Sequence, residues 1–155
     1  MTVTLNHRQD FSDFCAQRDA QNTIQLNVTK WTFMLCDALR QNFIEYSIKQ
    51  HEKSLFHNHD LDNVAYHEAC IQDLKNGQCG YDFIFESGKK YHKVIMVANG
   101  SRSVHCFIDK KTGEVYKSAS WKSPAKGVRY DLRIIEQREW LLENADWSGA
   151  YLYAK

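Results

Sequence analysis

The chain has 155 residues, 43% of them hydrophobic and 13% aromatic, which is enough to bury a core and excludes disorder. Lys and Arg number 20 against 19 Asp and Glu, so a formal charge of +1 makes the whole molecule neither a polycation nor a polyanion. One Pro and seven Gly argue against domains joined by flexible linkers, and no apolar run is long enough to span a bilayer.

These totals predict a single domain over residues 1–155, mainly helical in 1–80 and mainly antiparallel sheet plus one helix in 81–155. The start, MTVTLNHRQDF, lacks the basic and apolar regions of a signal peptide, so the expected location is the cytoplasm. Cys15, Cys36, Cys70, Cys79 and Cys106 are odd in number and include no CxxC pair. They read as small apolar residues in a reducing compartment.

In chain order, DFSDFCAQRDA places Phe11, Phe14 and Cys15 on one face of a first helix, Asp10 to about Ala20. Thr29 reads as the N-cap of a second helix running to about Ser54, with Trp31, Leu35, Ala38, Leu39 and Ile48 as its apolar stripe. Another helix is predicted from Leu61 to Leu74, ending at Asn76-Gly77. The period then changes to two. YDFIFES, KYHKVIMVA, SRSVHCFID and EVYKSAS read as four strands joined at Gly88-Lys89, Asn99-Gly100 and Lys111-Thr112-Gly113. IIEQREWLLENA reads as a further helix with Ile134, Ile135, Arg138, Leu141 and Leu142 near one face. The tail DWSGAYLYA is aromatic and β-prone, suited to an edge strand or an extended arm. The expected class is α+β: an antiparallel meander of about four strands packed against N-terminal helices, with a C-terminal helix.

Charge is unevenly spread. Residues 99–133 carry eight Lys/Arg against three Asp/Glu, a net of +5, while 1–98 and 134–155 each sum to −2. Such a segment suits phosphates and other anions. Within it, Ser118–Arg133 interleaves Trp121 and Tyr130 with Lys122, Lys126 and Arg129. Cations would neutralise phosphate and rings would stack on a base or sugar. The plain alternative is a solvated loop whose Trp121 plugs the core. Strict alternation on SRSVHCFID sends Arg102, Val104, Cys106 and Ile108 one way and Ser101, Ser103, His105 and Phe107 the other. Arg102, Ser103, His105 and Lys117 then join the expected ligand-binding set, although a histidine half buried in a sheet is the commoner case for a residue such as His105.

The stretch HNHDLDNVAYH holds His57, His59, Asp60, Asp62 and His67, all metal-competent types. Their spacing matches no familiar site, and a helix-capping loop accounts for them, so no metal ligand is assigned. Phosphate-loop, dinucleotide, nucleophile-elbow and HExxH signatures are missing, so no catalytic residue and no cofactor are assigned either.

The run GSRSVHCFIDKKTGEVYKSASWKSPAKGVRYDLR and the ADWSGAYLY tail resemble a family of small tailed-bacteriophage accessory proteins, over about residues 81–153. The resemblance implies a context, an infected bacterium, and roles such as host takeover, replication support or counter-defence. It implies no catalytic residues. The leading expectation is a non-enzymatic binding protein in the cytoplasm of the infected host, holding a nucleic acid or nucleotide signal through Arg102, Ser103, His105, Lys117, Trp121, Lys122, Lys126, Arg129 and Tyr130. One rival is a virion component or inhibitor of a host protein, using Trp147, Tyr151 or Tyr153. The other is a small nucleotide-processing enzyme with His105 as acid/base and Lys117 or Arg129 stabilising negative charge. An exposed sheet edge and an aromatic tail also invite pairing with a second copy.

Overall fold

The computed structural model describes residues 11–57 and 60–153. The reading of the first ten residues, the Asp10 helix start, His59 and Ala154 lie outside them.

The two N-terminal helices expected from the sequence are one. Helix α1 runs unbroken from Phe11 to His57, 47 residues, so it extends about 70 Å at 1.5 Å per residue. Thr29 is not an N-cap. Its hydroxyl donates to the Gln25 carbonyl one turn back (2.9 Å), and no Gly or Pro interrupts the segment. The stripe Val28, Thr32, Leu35, Cys36 and Leu39 is buried, and Thr32 satisfies its hydroxyl on the Val28 carbonyl at 2.8 Å. Helix α2 (Leu61–Lys75) packs on the last part of α1. Asp60 caps it by accepting the Asp62 amide (3.2 Å), and Gly77 leaves it at φ +82°.

Five strands follow as a meander in the order β1 (Tyr81–Ser87), β2 (Tyr91–Ala98), β3 (Ser101–Asp109), β4 (Glu114–Lys117) and β5 (Tyr130–Asp131). Every pairing is antiparallel. Asn99 (φ 52°) and Gly100 (φ 88°) make the β2–β3 hairpin turn. The next turn is tied by buried Asp109, whose carboxylate accepts the Lys111 and Thr112 amides at 2.8 and 3.1 Å. The fifth strand, the short element at the end of AKGVRYDLR, is only two residues long and follows the loop 118–129.

The core lies between α1 and one face of the sheet, where Leu35 and Leu39 meet Phe83, Val94, Cys106, Ile108 and Val115. Helix α3 (Ile135–Asn144) and the tail close its far side. Arg138 donates to the Leu132 carbonyl (2.7 Å) and lies over the Trp31 ring (4.2 Å), so Leu141 turns inward. Ile134 and Ile135, expected on the buried face, are 42% and 59% exposed.

The tail is neither an edge strand nor an extended arm. Gly149, at φ +83°, opens a 3₁₀ turn over Ala150–Leu152 that buries Tyr151 and Leu152. Trp147 packs on Phe43 and Tyr46, and its amide donates to Asn42 on α1 at 3.0 Å. Of the three tail aromatics proposed as an interface, Tyr151 is therefore buried and Trp147 half-buried, while Tyr153 is exposed.

Candidate functional site

The geometry turns on one extra residue. Val94 pairs with Cys106 but Ile95 pairs with Val104, leaving His105 as a bulge on β3. Strict alternation, which put Ser103, His105 and Phe107 on one face, fails at that point. Beyond the bulge Cys106 and Ile108 face α1 with Val94, and Phe107, itself 1% exposed, belongs to the opposite face, whose outer groups include Lys93 and Trp121. His105 is half-buried on the helix side, its Nε2 bonded to the Tyr151 hydroxyl at 2.7 Å and its ring edge-on to Phe83. Gly149 backs the ring closely, since a Cβ there would sit 3.6 Å from Cε1. Burial lowers the His105 pKa to about 4, partly countered by Asp146, so the imidazole is neutral at pH 7. It is a polar pin of the fold rather than a group facing solvent.

The nine expected site residues consequently divide. Arg102, Trp121 and Lys122 gather on the open face. The Trp121 ring has the Lys93 ammonium 4.5 Å and the Arg102 guanidinium 5.6 Å from its centroid, and Arg102 is also ion-paired to Glu86. Lys126 is exposed further along the same loop, and Ser103 is exposed on β3. Arg129 is half-buried, its amide donating to the Val115 carbonyl at 2.7 Å. Lys117 and Tyr130 belong to the helix side. The Lys117 ammonium lies 4.5 Å over the Tyr153 ring. Tyr130 is 3% exposed, stacked on Trp140, and donates to the Tyr151 carbonyl at 2.6 Å. Its ring is core, not a stacking platform for a ligand.

The loop that carries Trp121 and Lys122 is internally braced. Ser118 bridges Pro124, and the Ala119 and Ser120 amides donate to the Ser123 carbonyl at 3.0 and 3.1 Å. Ser120 Oγ in turn accepts the Lys122 and Ser123 amides at 3.3 and 3.2 Å. Trp121 is held at 41% exposure. Between this loop and the β1–β2 hairpin lies a cavity of about 310 Å³, bordered by Lys89, Lys90, Lys93 and Lys122 with Glu86 as its sole acid. Lys89, Lys90 and Lys93 lie outside the basic segment 99–133 in sequence, so its charge pattern does not point to them. The register, with Lys93 opposite Phe107, is the signal that joins them to the basic segment.

Other titratable clusters are satisfied internally. His92, 2% exposed, accepts from Ser87 at Nδ1 (2.7 Å) and meets Thr29 Oγ1 through Nε2 (3.2 Å). Because the Thr29 proton goes to Gln25, the Nε2 side carries the imidazole proton. Burial, then Lys110, lowers the His92 pKa to about 4. His51 and His67 join α1 to α2 through their Nδ1 atoms at 2.8 Å. Among the described residues no three His, Cys, Asp or Glu side chains converge to hold a metal, and no helix is long and apolar enough to cross a membrane. All five cysteines are free, and burial pushes the Cys36 thiol up to about 12.

Comparison with curated proteins and with solved structures finds no match. A family model does match residues 11–154, almost the whole chain including both the long helix and the meander, and the chain therefore belongs to the family of unknown function DUF7717.

Proposed function

We propose that the chain is a non-enzymatic bacteriophage accessory protein that binds a phosphorylated ligand, a nucleic acid or a nucleotide signal, on the open face of its sheet in the infected host's cytoplasm. The observation that supports this reading is the ring of Lys89, Lys90, Lys93 and Lys122 around a cavity of about 310 Å³. Four lysines with one carboxylate line this cavity, a charge balance that suits an anionic ligand. Trp121, partly exposed beside Lys93 and Arg102, offers a surface for a base or sugar. His105, Lys117 and Tyr130 take no part in this reading, because they lie on the helix side.

The test is fluorescence anisotropy with a labelled oligo-dT of about 12 nucleotides, and calorimetry with ATP, at low and moderate salt. Lys93→Ala with Lys122→Ala is expected to weaken binding about tenfold or more, and Lys117→Ala to leave it unchanged. Equal losses in both variants, or no binding to either probe at low salt, would refute the assignment.

A further inference from the structure

We infer that the lysine cavity takes the phosphate tail of a nucleoside 5′-polyphosphate free of its metal ion, with the nucleoside against Trp121, rather than a stretch of nucleic acid. The inference rests on the phosphate-binding reading above and names the ligand class within it. What carries it is the positive charge that the cavity leaves unpaired.

Glu86 is the sole acid at the cavity. It stands opposite Lys93 in the register, yet its carboxylate is ion-paired to Arg102. Asp109, opposite Tyr91 on the next strand, is committed as well, since it accepts the Lys111 and Thr112 amides. Among the described residues no ion pair involves Lys89, Lys90, Lys93 or Lys122. Lys90 and Lys93 rest over the rings of Tyr91 (5.3 Å) and Trp121 (4.5 Å), contacts that leave their charge in place. Lys110 adds a further cation beside the cavity, donating to the Gly88 carbonyl at 2.9 Å.

Charge density selects the ligand. A nucleic-acid strand carries one charge per nucleotide, so a space of about 310 Å³ meets roughly one or two of its phosphates. In a nucleoside triphosphate the terminal phosphate carries nearly two charges at pH 7 and each inner phosphate one, so about four negative charges adjoin. That number matches the four lysines. A divalent cation on the same phosphates finds no carboxylate to share, because Glu86 is taken and no three His, Cys, Asp or Glu side chains converge among the described residues. It competes with the lysines for phosphate oxygens instead. Lys93 lines the cavity and also lies beside the Trp121 ring, so a tail held there sets its nucleoside at that exposed ring.

The experiment is calorimetry with AMP, ATP, inorganic tripolyphosphate and an oligo-dT of about 12 nucleotides, in EDTA and in excess magnesium chloride. In EDTA, ATP is expected to bind about a hundredfold tighter than AMP, and magnesium to weaken ATP about fivefold or more. Lys93→Ala with Lys122→Ala is expected to weaken ATP about tenfold or more. Trp121→Ala is expected to weaken ATP about fivefold and to leave tripolyphosphate unchanged, which also reports an intact fold. An affinity for ATP no greater than for AMP overturns the inference; if oligo-dT still binds through Lys93 and Lys122, the broader reading stands and the ligand is nucleic acid. Tighter ATP binding in magnesium, or equal losses of ATP and tripolyphosphate in Trp121→Ala, also overturns it. No binding of any probe removes the inference and the reading together.

Discussion

His92 allows the fold to be tested against pH with a worked magnitude. It is 2% exposed, both ring nitrogens are engaged by Ser87 and Thr29, and its pKa falls from the usual 6.5 to about 4. Between those values the unfolded chain binds a proton that the folded chain refuses. Stability is thus full above about pH 6.5, is lost as pH falls, and levels off below about pH 4. At pH 5 the unfolded histidine is about 97% protonated and the folded one about 9%, which by linkage removes about 2 kcal/mol relative to pH 7.5. Urea unfolding followed by tryptophan fluorescence at pH 7.5, 6 and 5 measures this directly. His92→Asn has no proton to bind, so its stability is expected to fall about 2 kcal/mol less than the wild type's over that range, whatever its stability at pH 7.5. Curves that run parallel to within about 0.5 kcal/mol would refute the claim that His92 is held neutral by burial. The same arithmetic applies to His105, whose pKa is lowered equally, by burial against Tyr151 and Phe83.

Two further substitutions test the packing. Gly149→Ala places a Cβ on a residue at φ +83°, where an L side chain is strained although the nearest atom, His105 Cε1, lies at an ordinary 3.6 Å, so the tail turn is expected to lose about 1–2 kcal/mol, read as a lower urea midpoint. Leu35→Ala empties a fully buried position between α1 and the sheet and is expected to cost about 2–5 kcal/mol, seen as a fall in Tm. A loss under about 1 kcal/mol would mean that the α1–sheet layer is not the main core.

The split of the basic segment between two faces has a chemical consequence. Lys117, near Tyr153, and Lys122, near Lys93, are five residues apart in sequence yet serve opposite sides of the sheet. A small ligand held at the cavity therefore touches Lys122 and not Lys117. The basic stretch read as one patch in sequence acts as two separate surfaces. Three of the four lysines at the cavity come from the β1–β2 hairpin rather than from the basic segment itself.

Much of this architecture was legible in the chain. The period-two runs, the Asn99-Gly100 turn and the Asn76-Gly77 stop placed α2 and the first three strands within a residue or two, because hairpins and helix ends are decided by local backbone chemistry, while the fourth strand ends at Lys117, three residues before the expected Ser120. Three things were not local. Thr29 resembles a cap, but its hydroxyl is satisfied within a helix whose stripe is buried against the sheet, so α1 continues. The tail resembles a strand, but burying Tyr151 against His105 and Tyr130 folds it into a turn. The bulge at His105 depends on cross-strand register, which alternation along one strand does not contain. That single extra residue turned an expected ligand-facing histidine into a half-buried one bonded to Tyr151 on the helix side. The cations that do converge, Lys89, Lys90, Lys93 and Lys122, were brought together because β3 pairs with both β2 and β4, which sets the loop after β4 beside the β1–β2 hairpin.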